Sequence, residues 1–181
     1  MSANQPAVTS PNDAATVRVW DPLVRIFHWS LVIGFTVAYL TEDADTFHEI
    51  VGYIVAGLIG FRLIWGLIGP RYARFTDFVT GPAKVRAYLG NAMRLRAPRY
   101  IGHNPAGGAM VMALLSMVAV VSLTGWLAIQ PGAGGWLEDA HEAAATLTLV
   151  FVAAHVAGVI VTGLVHGENL VKSMFTGIKR V

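Results

Sequence analysis

"EDAHEAAATLTLVFVAAHVAGVIV", residues 138–161, is an apolar run long enough to cross a bilayer, yet it carries His141 and His155. A spanning helix needs about 20 apolar residues for a hydrocarbon core of ~30 Å. Ionisable side chains inside such a helix cost free energy and persist only where something holds them. The two histidines are 14 residues apart. At 100° per residue that spacing falls ~40° short of four full turns, so both rings share one face, ~21 Å apart along the axis.

Three more apolar runs surround this one. The four predicted spans are Val24–Leu40, Ile50–Ile68, Gly107–Ile129 and Ala140–Val165. Only 13% of the 181 residues are charged and mean hydropathy is +0.56. Soluble domains carry about a quarter charged residues. The sequence therefore predicts an all-α bundle of four transmembrane helices whose first partner is membrane lipid, and nothing in it points to nucleic acid. The absence of cysteine excludes disulfides, thiolate metal sites and iron–sulfur clusters.

Basic residues orient the bundle. Of 13 Lys and Arg, Arg18 and Arg25 open the first span, seven lie between the second and third, and Lys172, Lys179 and Arg180 close the chain. Arg62 sits in the second span toward the same side, and the short connections near 41–49 and 130–142 hold none. By the positive-inside rule both termini are cytoplasmic and the short loops face outward. Residues 1–16 read as a disordered polar tail, leaving 17–181 as one membrane domain. Within the long 70–104 connection, "PAKVRAYLGNAMRLRA" predicts a short amphipathic helix, either lying at the membrane surface or solvated within the loop.

Counting depth finds partners for the two histidines. His48 opens the second span at the outer side, level with His141. His28 lies 13 residues before Thr41, hence ~20 Å deep and level with His155. Two imidazoles facing each other at one depth suit bis-histidine ligation of haem iron between packed helices. Such an iron keeps no open position and serves electron transfer. The apolar shell would hold the macrocycle without covalent bonds, which a chain lacking cysteine cannot supply. Gly52, Gly57, Gly60 and Gly158 remove bulk where a flat ring approaches. Arg62, 14 residues past His48, is near the inner pair, where it either meets haem propionates or reaches out to the interface. Neither "HEIVG" nor "HEAAA" has a second histidine at i+4, so no H-E-x-x-H zinc site exists. His103 and His166, both on the cytoplasmic side, are candidates for a quinone or proton site and equally for interfacial anchors.

Several motifs together resemble the bacterial cytochrome b561 family, which includes the cytochrome b subunits of nickel–iron hydrogenases. "VRVWDPLVRIFHWSLV" is similar to its first-helix signature and "RLIWGLIGPRYARFTDF" to the end of its second helix. "GHNPAGG" resembles its entry to helix three, the 14-residue histidine spacing its helix four, and "HGENLVKSMFTGIKR" its ending. The resemblance implies a bacterial inner-membrane protein with two haem b groups, paired His28 with His155 and His48 with His141. It also implies exchange of electrons with ubiquinone or menaquinone, or with a partner protein.

Three functions compete at this stage. One is an electron-carrier subunit between a periplasmic redox protein, such as a c-type cytochrome, a hydrogenase or another dehydrogenase, and the quinone pool. The second is a superoxide-oxidising, quinone-reducing oxidoreductase. The third is a non-redox anchor or proton-carrying transporter. Around the outer histidines stand Glu42, Asp43, Asp45, Glu49, Glu138, Asp139 and Glu142 with no base among them. That field repels anionic superoxide and attracts a basic protein, which favours the first. Part of it also reflects the preference of acids for helix N-termini.

Overall fold

The computed structural model describes residues 15–42 and 45–181. Residues 1–14 of the expected tail lie outside them, as does Asp43.

Helix α1 (Pro22–Leu40) begins where the Asp21 carboxylate accepts from the Leu23 and Val24 amides, with proline at the first helical position. A capping aspartate is worth about 1 kcal/mol, and proline there loses no hydrogen bond. Helix α2 (Asp45–Ile68) returns across the bundle. It leads through a 3-10 turn (Arg71–Ala73) and the single turn α3 (Phe75–Phe78) to α4 (Pro82–Met93), a helix within the stretch where the sequence predicted one. Helix α5 (Pro105–Ala128) repeats the starting device, Asn104 capping the Gly107 amide at 2.7 Å ahead of a proline. Helix α6 (Trp136–His166) ends on Gly167, whose φ of 60° is the left-handed conformation that glycine adopts without strain. A last short helix, α7 (Leu170–Thr176), precedes the C-terminal strand.

Helices α1, α2, α5 and α6 are each long and apolar enough to cross a membrane. The fold is an all-α four-helix bundle, as the hydropathy pattern predicted. Helices α2 and α6 each start about a turn before their apolar runs, with Glu138 and Asp139 in the first turn of α6. Acids are favourable at a helix N-terminus, so these turns are helical without being hydrophobic.

Packing is uneven around the bundle. The core cluster of Phe27, Val55, Ile59, Leu115 and Val118 belongs to α1, α2 and α5. Helix α6 lies along α5, α1 lies along α2, and the two pairs meet through α2 and α5. Helix α6 therefore stands off from α1 and α2. All four histidines of interest lie on those three helices. Close approaches are made at glycines: a Cβ on Gly66 would come within 2.2 Å of the Phe75 ring, so α3 can fold back on α2 only over a bare backbone.

The two ends of the described chain join. Strands β1 (Thr16–Arg18) and β2 (Ile178–Arg180) pair antiparallel, Val17 opposite Lys179, and the Val181 amide donates to the Ala15 carbonyl. Three residues carry no readable period, so the ribbon was not expected. Glu168 anchors it: Arg99 Nε donates to its carboxylate at 2.7 Å and Lys179 Nζ lies 3.0 Å away. Burial alone would raise the Glu168 pKa, but hydrogen bonds and charge from Arg99 and Lys179 outweigh it and hold it below the usual 4.5. A depressed carboxylate gives stability that is complete above the unfolded pKa and lost as pH falls through the folded one. Amide protection in the ribbon, taken relative to free peptide at the same pH, is expected to fall as pH drops below 4.5. Glu168→Gln should remove that dependence. Protection that stays level down to the pH of global unfolding would show that Glu168 does not anchor the ribbon.

Candidate functional site

Two helices carry polar groups at the same long interval. On α6, His141, Thr148 and His155 lie seven residues apart on one stripe, and Thr148 is fully buried between the two histidines. On α2, His48, Val55 and Arg62 form the equivalent stripe. Both stripes follow from helical geometry, seven residues being close to two turns. They set up an upper tier near the short loops and a lower tier near the termini.

In the upper tier the rings of His48 and His141 face each other, 5.9 Å between centroids and 90° between planes. Each is held from behind. His48 Nδ1 lies 3.0 Å from the Ala38 carbonyl of α1, and His141 Nδ1 lies 2.9 Å from the Val121 carbonyl of α5. A carbonyl only accepts, so both Nδ1 atoms carry the proton and both Nε2 atoms keep the lone pair. Metal-ligating histidines are fixed in this way through their other nitrogen. A metal bonded at about 2 Å to one nitrogen of each ring would hold the ring centres ~6 Å apart. The observed spacing fits that. Sequence reasoning missed the support from α5. A Cβ on Gly125 would lie 2.8 Å from His141 Cε1, so the imidazole occupies the notch this glycine leaves. Its only sequence signal was a glycine within an apolar helix.

In the lower tier His28 of α1 and His155 of α6 are both half-buried, and among the described residues no ring contact joins them. Arg62, 3% exposed, does not reach the surface: one amino group donates to the Ala73 carbonyl at 3.0 Å and the guanidinium covers the Phe75 ring. Its other amino group is buried without a partner. So are His28 Nδ1, Trp29 Nε1, Asp21 Oδ2 and His103 Nδ1. Native interiors leave few polar atoms unsatisfied, and each one needs an explanation. Their concentration in one tier fits a bound group with its own hydrogen-bonding and charged atoms.

His103 is packed between Trp20 and Phe78, with ring centroids at 4.7 and 4.5 Å. Burial drives its pKa down to about 3, with Arg62, His155 and Lys179 adding in the same direction. It stays neutral at ordinary pH, which leaves it hydrogen bonding rather than proton carriage. His166 occupies the last turn of α6. Among the described residues no hydrogen bond or ring contact joins it to His103. Of the glycines read as clearance for a macrocycle, a Cβ on Gly52, Gly57, Gly60 or Gly158 would meet nothing within 4 Å.

Among the described residues no group of three or more His, Asp or Glu could hold a metal ion by itself. The pairing of His48 with His141 suits instead a metal whose remaining ligands come with it, as iron does in a porphyrin. The comparison with known families agrees. No curated protein and no solved structure matches the chain. The family model for prokaryotic cytochrome b561 matches residues 19–177, nearly the whole described fold. The chain belongs to the prokaryotic cytochrome b561 family, and is a bacterial membrane b-type cytochrome of electron transfer.

Proposed function

We propose that this cytochrome binds two haem b groups, the upper held by His48 and His141 and the lower by His28 and His155, and conducts electrons between the two membrane faces. The observation that carries the reading is the upper pair: two facing imidazoles, each with Nδ1 locked to a helix carbonyl and Nε2 bare. Bound haem supplies a one-electron iron couple. The chain's own residues do the rest. His48 and His141 would hold the upper haem through their Nε2 atoms. The apolar walls of α1, α2 and α6 exclude water. Arg62 offers its unpaired amino group to an anion in the lower tier, where propionates would lie.

The proposal sets both termini in the cytoplasm, by the distribution of basic residues. It sets the short loops in the periplasm, where Glu42, Glu49, Glu138, Asp139 and Glu142 are exposed. A basic redox protein, such as a c-type cytochrome, docks there. The quinone pool is the partner on the other side, with His166 the nearer candidate for proton traffic. The acidic upper surface argues against superoxide as substrate.

The direct test is a reduced-minus-oxidised spectrum with pyridine haemochrome quantitation. Two low-spin b-type haems per chain are expected; one or none would sink the two-tier reading. A second expectation concerns Gly125. Gly125→Ala pushes the His141 ring off the Val121 carbonyl. Losing such a second partner typically costs 10–100-fold in metal affinity. Upper-tier haem is therefore expected to dissociate about 10-fold more readily than in the parent, with the lower tier unchanged. Identical retention of both haems would show that the notch is not needed.

A further inference from the structure

Helix α4 rests on the bundle through buried Tyr88, and its flank stays open. Val85, Arg86, Leu89, Gly90 and Met93 recur at helical spacing along that flank and, with Ala109 of α5, line a groove of about 650 Å³. Ligand-binding clefts run to roughly 300–1,000 Å³. Ala109 is the fifth residue of a spanning helix, hence only ~6 Å inside it. In a membrane crossed by α5, the groove would open where lipid headgroups give way to acyl chains. Its lining is apolar except for Arg86 and Thr80, whose hydroxyl is buried without a partner.

Charge around the groove is uncompensated. From residue 78 to 137 the sequence has no acid. Among the described residues the acids at this end are engaged elsewhere: Asp21 caps α1 and bonds Trp65, Asp77 bonds Arg71, and Glu168 bonds Arg99 and Lys179. Among the described residues the side chains of Lys84, Arg86, Arg94 and Arg96 make no ion pair. A basic, apolar-floored groove at headgroup depth is complementary to one class of molecule.

We propose that this groove binds one anionic phospholipid, its phosphate at Arg86 and an acyl chain along Leu89, Gly90 and Met93. Basic pockets beside spanning helices recognise anionic headgroups in this manner. Gly90 keeps the floor clear, since a Cβ there meets nothing within 4 Å. The site is independent of haem.

The test uses the full chain in nanodiscs of equal parts phosphatidylglycerol and phosphatidylcholine, with retained lipid counted by native mass spectrometry. One phosphatidylglycerol is expected to be kept in preference to phosphatidylcholine by about fivefold or more. Arg86→Gln is expected to erase that preference. Gly90→Leu, which fills the floor with a better helix former, should lower retention of either lipid. Lys172→Gln, a basic residue of the same end outside the groove, should change nothing. Circular dichroism checks that helicity is equal throughout. Equal retention of the two lipids overturns the proposal, as does an effect of Lys172→Gln matching that of Arg86→Gln. Parent-like retention by Gly90→Leu does the same. A dimer present in either lipid and lost in Gly90→Leu would give the groove to a second copy of the chain.

Discussion

His141→Ala and His48→Ala are expected to give the same residual spectrum: one low-spin haem per chain, the lower one. The expectation rests on the proposed pairing of the two residues, whose rings stand 5.9 Å apart. Removing an imidazole must cost more than removing the hydrogen bond behind it, itself worth about 10–100-fold in metal affinity. Neither replacement touches the core of Phe27, Val55, Ile59, Leu115 and Val118, so the bundle should still assemble. His155→Ala and His28→Ala should form the complementary pair, sparing the upper haem. The comparison within each pair is more telling than any single variant. Different residual spectra from His141→Ala and His48→Ala would break the pairing, even if each lost one haem. Retention of both haems after all four changes would remove histidine ligation altogether.

The second large effect is ionic. Electron exchange with a basic c-type cytochrome is expected to slow by about tenfold or more between low salt and physiological ionic strength. Steering raises association rates by roughly 10–10³, and the Debye length shrinks from ~30 Å at 0.01 M to ~8 Å at 0.15 M. Glu138, Asp139 and Glu142 are solvent-exposed within two turns of α6, and Glu42 and Glu49 lie across from them at the same end. Neutralising the α6 trio to Gln, Asn and Gln should lower the low-salt rate and flatten the salt dependence together. Glu138 and Asp139 also serve the first turn of α6, where removing an acid costs about 0.3–1 kcal/mol. That loss alters stability without altering the salt slope. A rate that is flat across ionic strength would mean that the acids do not recruit the partner.

The four spans were legible because lipid imposes a crude, long-range requirement on composition that survives any detail of packing. The shared stripe of His141 and His155 was legible from helical arithmetic alone, as was the level of His48 with His141. Facing rings at the upper tier are geometry; the iron between them is the proposal. What escaped notice depends on contacts distant in sequence. Gly125 matters only because α5 crosses α6 opposite His141. His103 looks interfacial in sequence, yet Trp20 and Phe78, 83 and 25 residues away, bury it. Arg62 had two readings, and the structure finds it inside, bonded to Ala73.

The terminal ribbon has a consequence for how the molecule is made. Trp20 donates to Ser173, Arg25 to the Phe175 carbonyl, and Trp29 stacks on Phe175 at 4.3 Å. Each of these pairs a segment at the start of α1 with one that leaves the ribosome only after α6. Chains fold as they emerge, at about 5–20 residues per second. The half of the bundle near the short loops has all its parts once α6 is inserted. The half beside His28 waits for α7 and β2, and a nascent chain stalled before them keeps that half open.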